Sequence, residues 1–243
     1  LYGLCKPRVL ACAPTDATQR EVAALVAAVV RAGASSVKVV PEPQAAAVGA
    51  GLDISLPYAQ MLIDIGDGVT DIGVIRSGQL IKTAAVRSAC RDIYAMIQLL
   101  VAKRHNVILY WREVERLAME FGLAQEIPSR PPRSALGLDR ATGHEKEMIV
   151  SDTDVSEAIE PVIRKIREML RGVIRGLPHD TAAEVIESGV CLTGGGTYLP
   201  GLKEMIAAET SLDVRVAPDP LRAVINGAGQ MLAVGAETGL WRM

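Results

Sequence analysis

The residues of this chain best arranged to meet an anion lie between positions 61 and 73, which read Met-Leu-Ile-Asp-Ile-Gly-Asp-Gly-Val-Thr-Asp-Ile-Gly. An apolar run reaches a carboxylate, two glycines flank Asp67, and a hydroxyl and a further acid follow. A strand carrying Met61 to Ile63 ends at Asp64. Gly66 and Gly68 let the backbone fold tightly enough to aim N–H groups at an anion, and Ile72 to Ile75 return as the partner strand. Turn chemistry alone also places Asp and Gly at hairpin tips, so this segment by itself leaves both readings open.

A second segment repeats the plan. Residues 189 to 196, Gly-Val-Cys-Leu-Thr-Gly-Gly-Gly, carry a short β-prone run into three consecutive glycines, and a helical pattern begins near Leu199 to Pro200. A strand, a glycine turn and a helix N-terminus make an anion or nucleotide site through unpaired N–H groups and the helix dipole. The competing reading is a merely tight βα connection, which rarely needs three glycines.

The elements that must position these turns alternate between strands and helices. Val9 to Ala13 reads as a buried strand, and Thr18-Gln19-Arg20-Glu21 is a capping box before a helix with Val22, Leu25, Val26, Val29 and Val30 at helical spacing. Gly33 ends that helix. Val37 to Val40 is a second strand, Pro43 to Gly49 a small alanine-rich helix, and Gln79 to Val86 extends the hairpin after a Ser77-Gly78 turn. Asp92 to His105 and Arg112 to Phe121 show helical patterns. The prolines and glycines of residues 126–145 predict a long surface excursion. Asp152 or Thr153 caps a long helix from Val155 to about Arg175, which Pro161 should kink. This order predicts an α/β layered fold with a mixed sheet.

Composition agrees with a globular chain. At 243 residues it can bury a substantial core, and a net charge of −2 offers nothing to nucleic acid. Aromatic residues make up 3%, so the core rests on small aliphatic side chains. Cys5, Cys12, Cys90 and Cys191 lack paired metal spacing, and Cys12 and Cys191 read as buried structural thiols. No stretch reaches the roughly 18 apolar residues of a membrane span, and no signal peptide pattern opens the chain, which predicts a soluble or peripheral, cytoplasmic protein.

Four blocks resemble the actin and heat-shock-chaperone ATPase superfamily, and most closely its MreB-like bacterial actins. They are Lys6-Pro7-Arg8-Val9 with Ala13-Pro14, Pro41-Glu42-Pro43-Gln44-Ala45-Ala46-Ala47, Asp64 to Asp71, and Leu192 to Leu202. Asp219-Pro220-Leu221 to Gly227-Ala228-Gly229 resembles the closing helix, and Glu160-Pro161 adds to the likeness. The resemblance implies an actin-like ATPase (ribonuclease H-like) fold, with mixed sheets flanked by helices, truncated at the N-terminus and lacking the Asp-x-Gly-Thr first phosphate loop. An ATP site formed from these residues alone is then expected to be incomplete. It further implies that residues 1–50 are the remainder of a first domain and that 51–86 and 151–217 form a second. Residues 87–150 would be a small inserted subdomain, with 218–243 a helix returning to the first domain.

The same resemblance implies ATP and Mg²⁺ as ligands. Glu42 corresponds to the acid that activates the attacking water, although an acid at a helix start is also favoured by the dipole alone. Asp64 corresponds to the carboxylate that holds Mg²⁺ through water. Gly66, Asp67, Gly68 and Thr70 correspond to the phosphate turn. Gly194, Gly195, Gly196 and Thr197 correspond to the adenosine turn, and Glu115 to the acid of an adenine-side Glu-x-x-Lys motif. The implied activity, with the N-terminal part restored, is weak ATP hydrolysis coupled to polymerisation into filaments for cell shape. Implied partners are further copies of the chain, cell-shape membrane proteins and the inner membrane surface, the last through the apolar run Leu1 to Cys5.

Departures from the pattern bear on hydrolysis. Asp67 stands where the phosphate loop has a glycine, and a carboxylate about 4 Å from a phosphate charge repels it by roughly 4 kcal/mol at an effective dielectric near 20. Val69 stands where a threonine follows the glycines, Ser88-Ala89-Cys90 replaces Gly-Gly-Asp, and Ala118 replaces the motif lysine. Three readings follow: an ATP-dependent filament protein, a degenerate pseudo-ATPase scaffold that keeps filament or partner surfaces, and a chaperone-like or pilus-assembly relative.

Overall fold

The computed structural model describes residues 6–123 and 128–237; the apolar run Leu1 to Cys5 lies outside them. In chain order, β1 (Arg8–Ala13), α1 (Gln19–Arg31), β2 (Ser36–Pro41) and α2 (Glu42–Gly49) precede the strands β3 (Gln60–Ile65), β4 (Thr70–Arg76) and β5 (Gln79–Val86). Then come α3 (Cys90–His105), β6 (Val107–Leu109), α4 (Trp111–Phe121), β7 (Arg133–Asp139) and β8 (Glu145–Val150). The long α5 (Asp152–Arg175), α6 (His179–Ser188), β9 (Val190–Thr193), a 3₁₀ turn at Gly195–Tyr198 and α7 (Leu202–Thr210) follow. β10 (Val214–Val216), a second 3₁₀ turn at Pro220–Arg222 and α8 (Ala223–Glu237) close the described chain.

A five-stranded sheet of order β10-β9-β3-β4-β5 is the frame. β3, β9 and β10 run parallel, β4 returns antiparallel to β3, and β5 returns antiparallel to β4. Every residue of β3 is buried, which is why its apolar residues run unbroken: a strand covered on both faces has no solvent side to make polar. Met61, Ile63 and Ile65 face a core shared with α3, α5 and α7, and Leu62 on the opposite face packs with Ala46, Ala47 and Ala223. That second face is thin because α2 and α8 cross almost backbone to backbone. A Cβ on Gly49 would lie 1.8 Å from the carbonyl oxygen of Ala223, and one on Gly227 equally close to that of Ala45.

β1 and β2 form a separate parallel pair, and β6-β7-β8 a three-stranded antiparallel sheet. α1 begins with the expected box: Thr18 Oγ1 accepts from the Glu21 amide at 3.2 Å, and Glu21 Oε2 accepts from the Thr18 amide at 2.9 Å. The apolar stripe of α1 is only partly covered, with no residue of the helix buried and Val30 48% exposed. β1 is correspondingly half-buried from Val9 to Cys12 and buried only at Ala13; a sheet of two strands has too little surface to enclose its neighbours.

Three local expectations change. Residues 133–150 are a β-hairpin rather than a surface excursion, because the prolines precede β7 and Gly143, at φ +70°, serves the turn, leaving an uninterrupted strand to pair with β6. The cap of α5 is Ser151, whose Oγ accepts from the Asp154 amide at 3.2 Å while Asp154 accepts from the Ser151 amide at 2.9 Å. The helix then runs unbroken through Pro161. The helix after the second glycine turn starts at Leu202, three residues later than the pattern suggests, because the 3₁₀ turn intervenes.

Candidate functional site

The β3–β4 hairpin pairs Ile65 with Thr70, leaving residues 66–69 as its loop. The Gly66 amide donates to the Val69 carbonyl at 3.0 Å, closing the turn. Among the described residues, the amides of Asp67, Gly68 and Val69 donate to no backbone or side-chain acceptor, and a run of such groups is an anion-binding concavity. A Cβ added to Gly68 would meet nothing within 4 Å, so no protein atom requires glycine there; the empty volume belongs to the cavity that Gly68 lines. α3 buttresses the loop from behind, its Cys90 and Arg91 amides donating to the Gly66 and Asp67 carbonyls at 3.3 and 2.8 Å. The Asp67 side chain does not point unpaired at the cavity. It forms an exposed ion pair with Arg91.

The second glycine turn packs directly on the first. β9 lies beside β3 with Thr193 opposite Asp64, and Thr193 Oγ1 donates to Asp64 Oδ1 at 3.0 Å. Gly194 has φ +85°, and a Cβ there would lie 2.3 Å from the Ile65 carbonyl oxygen and 2.7 Å from Asp64 Oδ1. Only glycine fits both that backbone conformation and that approach.

Acids concentrate around the loop. Burial pushes Glu42, at the start of α2, up to about 7, with further pressure from Asp64, Asp71 and Asp16. Burial likewise raises Asp71 to about 6 even though Thr15 donates to it twice, from its amide and its hydroxyl, at 2.6 Å each. Asp64 is raised by burial against the opposing effect of Thr193. Carboxylates this crowded favour a cation between them. Among the described residues no three His, Cys, Asp or Glu side chains converge as a direct metal cage. An ion of the Mg²⁺ type, which keeps several waters and uses one or two carboxylates together with phosphate oxygens, needs no such cage.

These pieces line one cavity of about 800 Å³, within the range of about 300–1,000 Å³ usual for small-molecule sites. Of the residues singled out by sequence, Glu42, Asp64, Gly66, Asp67, Gly68, Glu115, Gly194 and Gly195 line it. Thr70, Gly196 and Thr197 do not. The Thr70 hydroxyl donates to the Ser88 carbonyl at 2.8 Å, Gly196 is buried against Ile65, and the Thr197 hydroxyl donates back to Gly194 at 2.7 Å. Asp71, which joins the hairpin to the residues after β1, and the lining residue Tyr198 lie inside motif blocks but receive no role from them, while the aromatic lining residues Tyr94 and Trp111 fall outside the blocks. The Thr70-Asp71 pair after the glycines was a usable signal for Asp71. Trp111, Glu115 and Met119, spaced four apart on the cavity face of α4, carry a helical stripe that becomes meaningful only once the cavity is seen.

Comparison with known proteins agrees with this geometry. The family model described as MreB/Mbl protein matches residues 2–238. The cell shape-determining protein Mbl of Bacillus subtilis (strain 168) is 31% identical over 227 residues, covering 93% of this chain and 68% of the relative. The cell shape-determining protein MreB of Pasteurella multocida (strain Pm70) is 33% identical over 228 residues, covering 93% and 65%. This chain therefore spans about two thirds of the length of such relatives. The crystal structure of MreB5 of Spiroplasma citri bound to AMPPNP is similar at a TM-score of 0.84 and 25% identity, covering 95% of this chain and 70% of that one. A MamK double helical filament shares the fold at a TM-score of 0.76 and 18% identity, covering 94% and 69%. With motifs, fold and family model in agreement over nearly the whole sequence, the chain belongs to the MreB/Mbl family of actin-like proteins.

Proposed function

We propose that this chain is a cytoplasmic cytoskeletal subunit that binds ATP with Mg²⁺ in the cleft described above and polymerises into filaments for cell-shape determination. The observation that carries the reading is the packing of Gly194 on Asp64 and Ile65, which makes two glycine turns 128 positions apart walls of one cavity. Relatives named for cell shape and a structural neighbour bound to AMPPNP support it. The family match sets aside the chaperone-like or pilus-assembly alternative.

In this reading the amides of residues 67–69 hold phosphate oxygens, and Asp64, kept in place by Thr193, orients water around the ion. Bound Mg²⁺ would neutralise charge on the phosphates and relieve the repulsion among the acids. Glu42, at about 7, is poised near neutrality to take a proton from an attacking water. Glu115 and the Gly194–Gly195 turn face the nucleoside. Thr70, Gly196 and Thr197 support the two turns from inside. The division into residues 1–50, 51–86 with 151–217, 87–150 and 218–243 is supported by sheet membership: β1 and β2, then β3–β5 with β9 and β10, then β6–β8, each form their own sheet. The crossing of α2 with α8 supports the return of the last segment.

A second reading, a pseudo-ATPase scaffold with little hydrolysis, is favoured by Ser88-Ala89-Cys90. Ser88 and Ala89 are buried where α3 begins, Cys90 lines the cavity, and no lysine or arginine is among the described lining residues. Calorimetric titration with MgATP, phosphate release and sedimentation separate the two. Saturable binding with turnover and nucleotide-dependent pelleting supports the first, whereas pelleting indifferent to nucleotide supports the second. Contact with membrane proteins of cell-shape assemblies and with the inner membrane surface belongs to the same proposal. No helix among the described residues is long and apolar enough to cross a membrane. Co-sedimentation with liposomes is expected to fall in Leu4→Asp.

A further inference from the structure

Aromatic residues are scarce in this chain, with two tryptophans, five tyrosines and one phenylalanine in 243 residues. Three of them, Tyr94, Trp111 and Tyr198, line the one cavity that also holds both glycine turns. They come from three different elements, α3, α4 and the 3₁₀ turn, so no single local pattern explains the convergence. Trp111 and Tyr198 are also far from being core residues, at 57% and 55% exposure. Large aromatic surfaces left open inside a concave site are what a flat ligand group covers.

The arrangement of the rings is specific. Tyr94 and Trp111 meet edge to face, with centroids 5.2 Å apart and planes at 88°. Such a pair uses one face of one ring and an edge of the other, so it holds Trp111 in place while leaving at least one indole face open to a stacking partner. Tyr198 follows the Gly194 turn directly, on the wall the nucleoside meets in the reading proposed above. The cavity residues of α4 are Trp111, Glu115 and Met119, which offer one carboxylate and one indole N–H beside two large apolar surfaces. Ala118, which stands at the motif's lysine position, is fully buried and adds no polar group.

We infer that Trp111, braced by Tyr94, and Tyr198 form a stacking clamp for the heterocyclic base of the nucleotide, so that base affinity in this chain comes from π-surface rather than from recognition of base edges. The inference rests on the nucleotide reading of the cleft. Stacking is tolerant of base identity because every base has a π-face. The chain therefore accepts guanine about as well as adenine, and purines better than the smaller pyrimidines.

Trp111 makes the test direct. In the full chain carrying Trp241→Phe, Trp111 is the sole tryptophan, and its emission is followed during titration with MgATP, MgGTP and MgCTP, alongside calorimetry. The clamp predicts saturable quenching by ATP and GTP at midpoints within about tenfold of each other, with CTP weaker. It also predicts that Trp111→Leu, similar in apolarity but without a π-face, binds MgATP about tenfold more weakly, that Trp111→Phe recovers most of the loss, and that Tyr198→Ala weakens binding independently. Thermal melts establish that each variant is folded. Nucleotide binding seen by calorimetry with unchanged Trp111 emission, or with undiminished affinity in Trp111→Leu, overturns the clamp and leaves the nucleotide site standing. Absence of any MgATP binding to the folded chain overturns both.

Discussion

The two glycine turns look alike as sequence and differ as structure. At Gly194 the positive φ and the 2.3 Å approach of a would-be Cβ to the Ile65 carbonyl oxygen make glycine a demand of the protein itself. At Gly68 the backbone has no positive φ and the space beside it is open, so glycine there leaves room for something that is not protein. One turn builds the site and the other receives the ligand. Glycine in a motif can therefore mean packing or access, and the distinction is visible only as the contents of the space a methyl group would fill.

The sharpest way to break that contrast is to add the methyl at each turn. Gly194→Ala is expected to cost about 3 kcal/mol or more, combining backbone strain with overpacking, and urea denaturation measures it. An undiminished midpoint would mean that the two turns are not locked together. Gly68→Ala should leave stability unchanged or raise it by up to about 1 kcal/mol. It should weaken MgATP binding about tenfold by calorimetry, equivalent to about 1.4 kcal/mol.

The acids beside the loop give a pH test. Glu42 moves from an ordinary 4.5 to about 7 in the folded chain. Between those values the folded state holds a proton that the unfolded state has released, so stability falls as pH rises through the window. Glu42→Gln removes that loss. Its stability relative to the parent should be level below pH 4.5 and higher above pH 7, by on the order of 1 kcal/mol after solvent screening in an open cleft. Denaturation curves at several pH values check the sign. The smallest effect is expected at Asp67→Ala, which breaks an exposed pair with Arg91 and should change stability by less than about 0.5 kcal/mol. MgATP affinity should rise a few-fold at low salt as a negative charge leaves the phosphate loop, and calorimetry at two ionic strengths would detect it.

Much of the architecture was legible because it is local. The Thr18–Glu21 box and the helical stripe that follows it, the buried run of β3 and the Ser77-Gly78 turn each arise from residues within a few positions of one another. The motif blocks located the glycine turns and the acids Glu42 and Asp64 for the same reason. Where expectation and structure part, a distant partner is responsible. The β7–β8 hairpin forms because β6 offers an edge, and β1 is half-open because its sheet has a single neighbouring strand. Asp71 matters because Thr15, 56 positions away, donates to it twice.

The cavity shows the division most plainly. Glycine spacing and the order of strands and helices follow from backbone sterics and hydrophobic periodicity, which act over short stretches of chain, and these determined the elements, the turns and the family to which they belong. That Thr193 sits opposite Asp64, that Gly194 touches Ile65, and that Tyr94, Trp111 and Tyr198 face the same space was decided by the closing of β9 onto β3 and the packing of α3 and α4 around it. Contacts of that kind depend on burial shared among remote segments, and no short window of sequence carries the free energy that selects them.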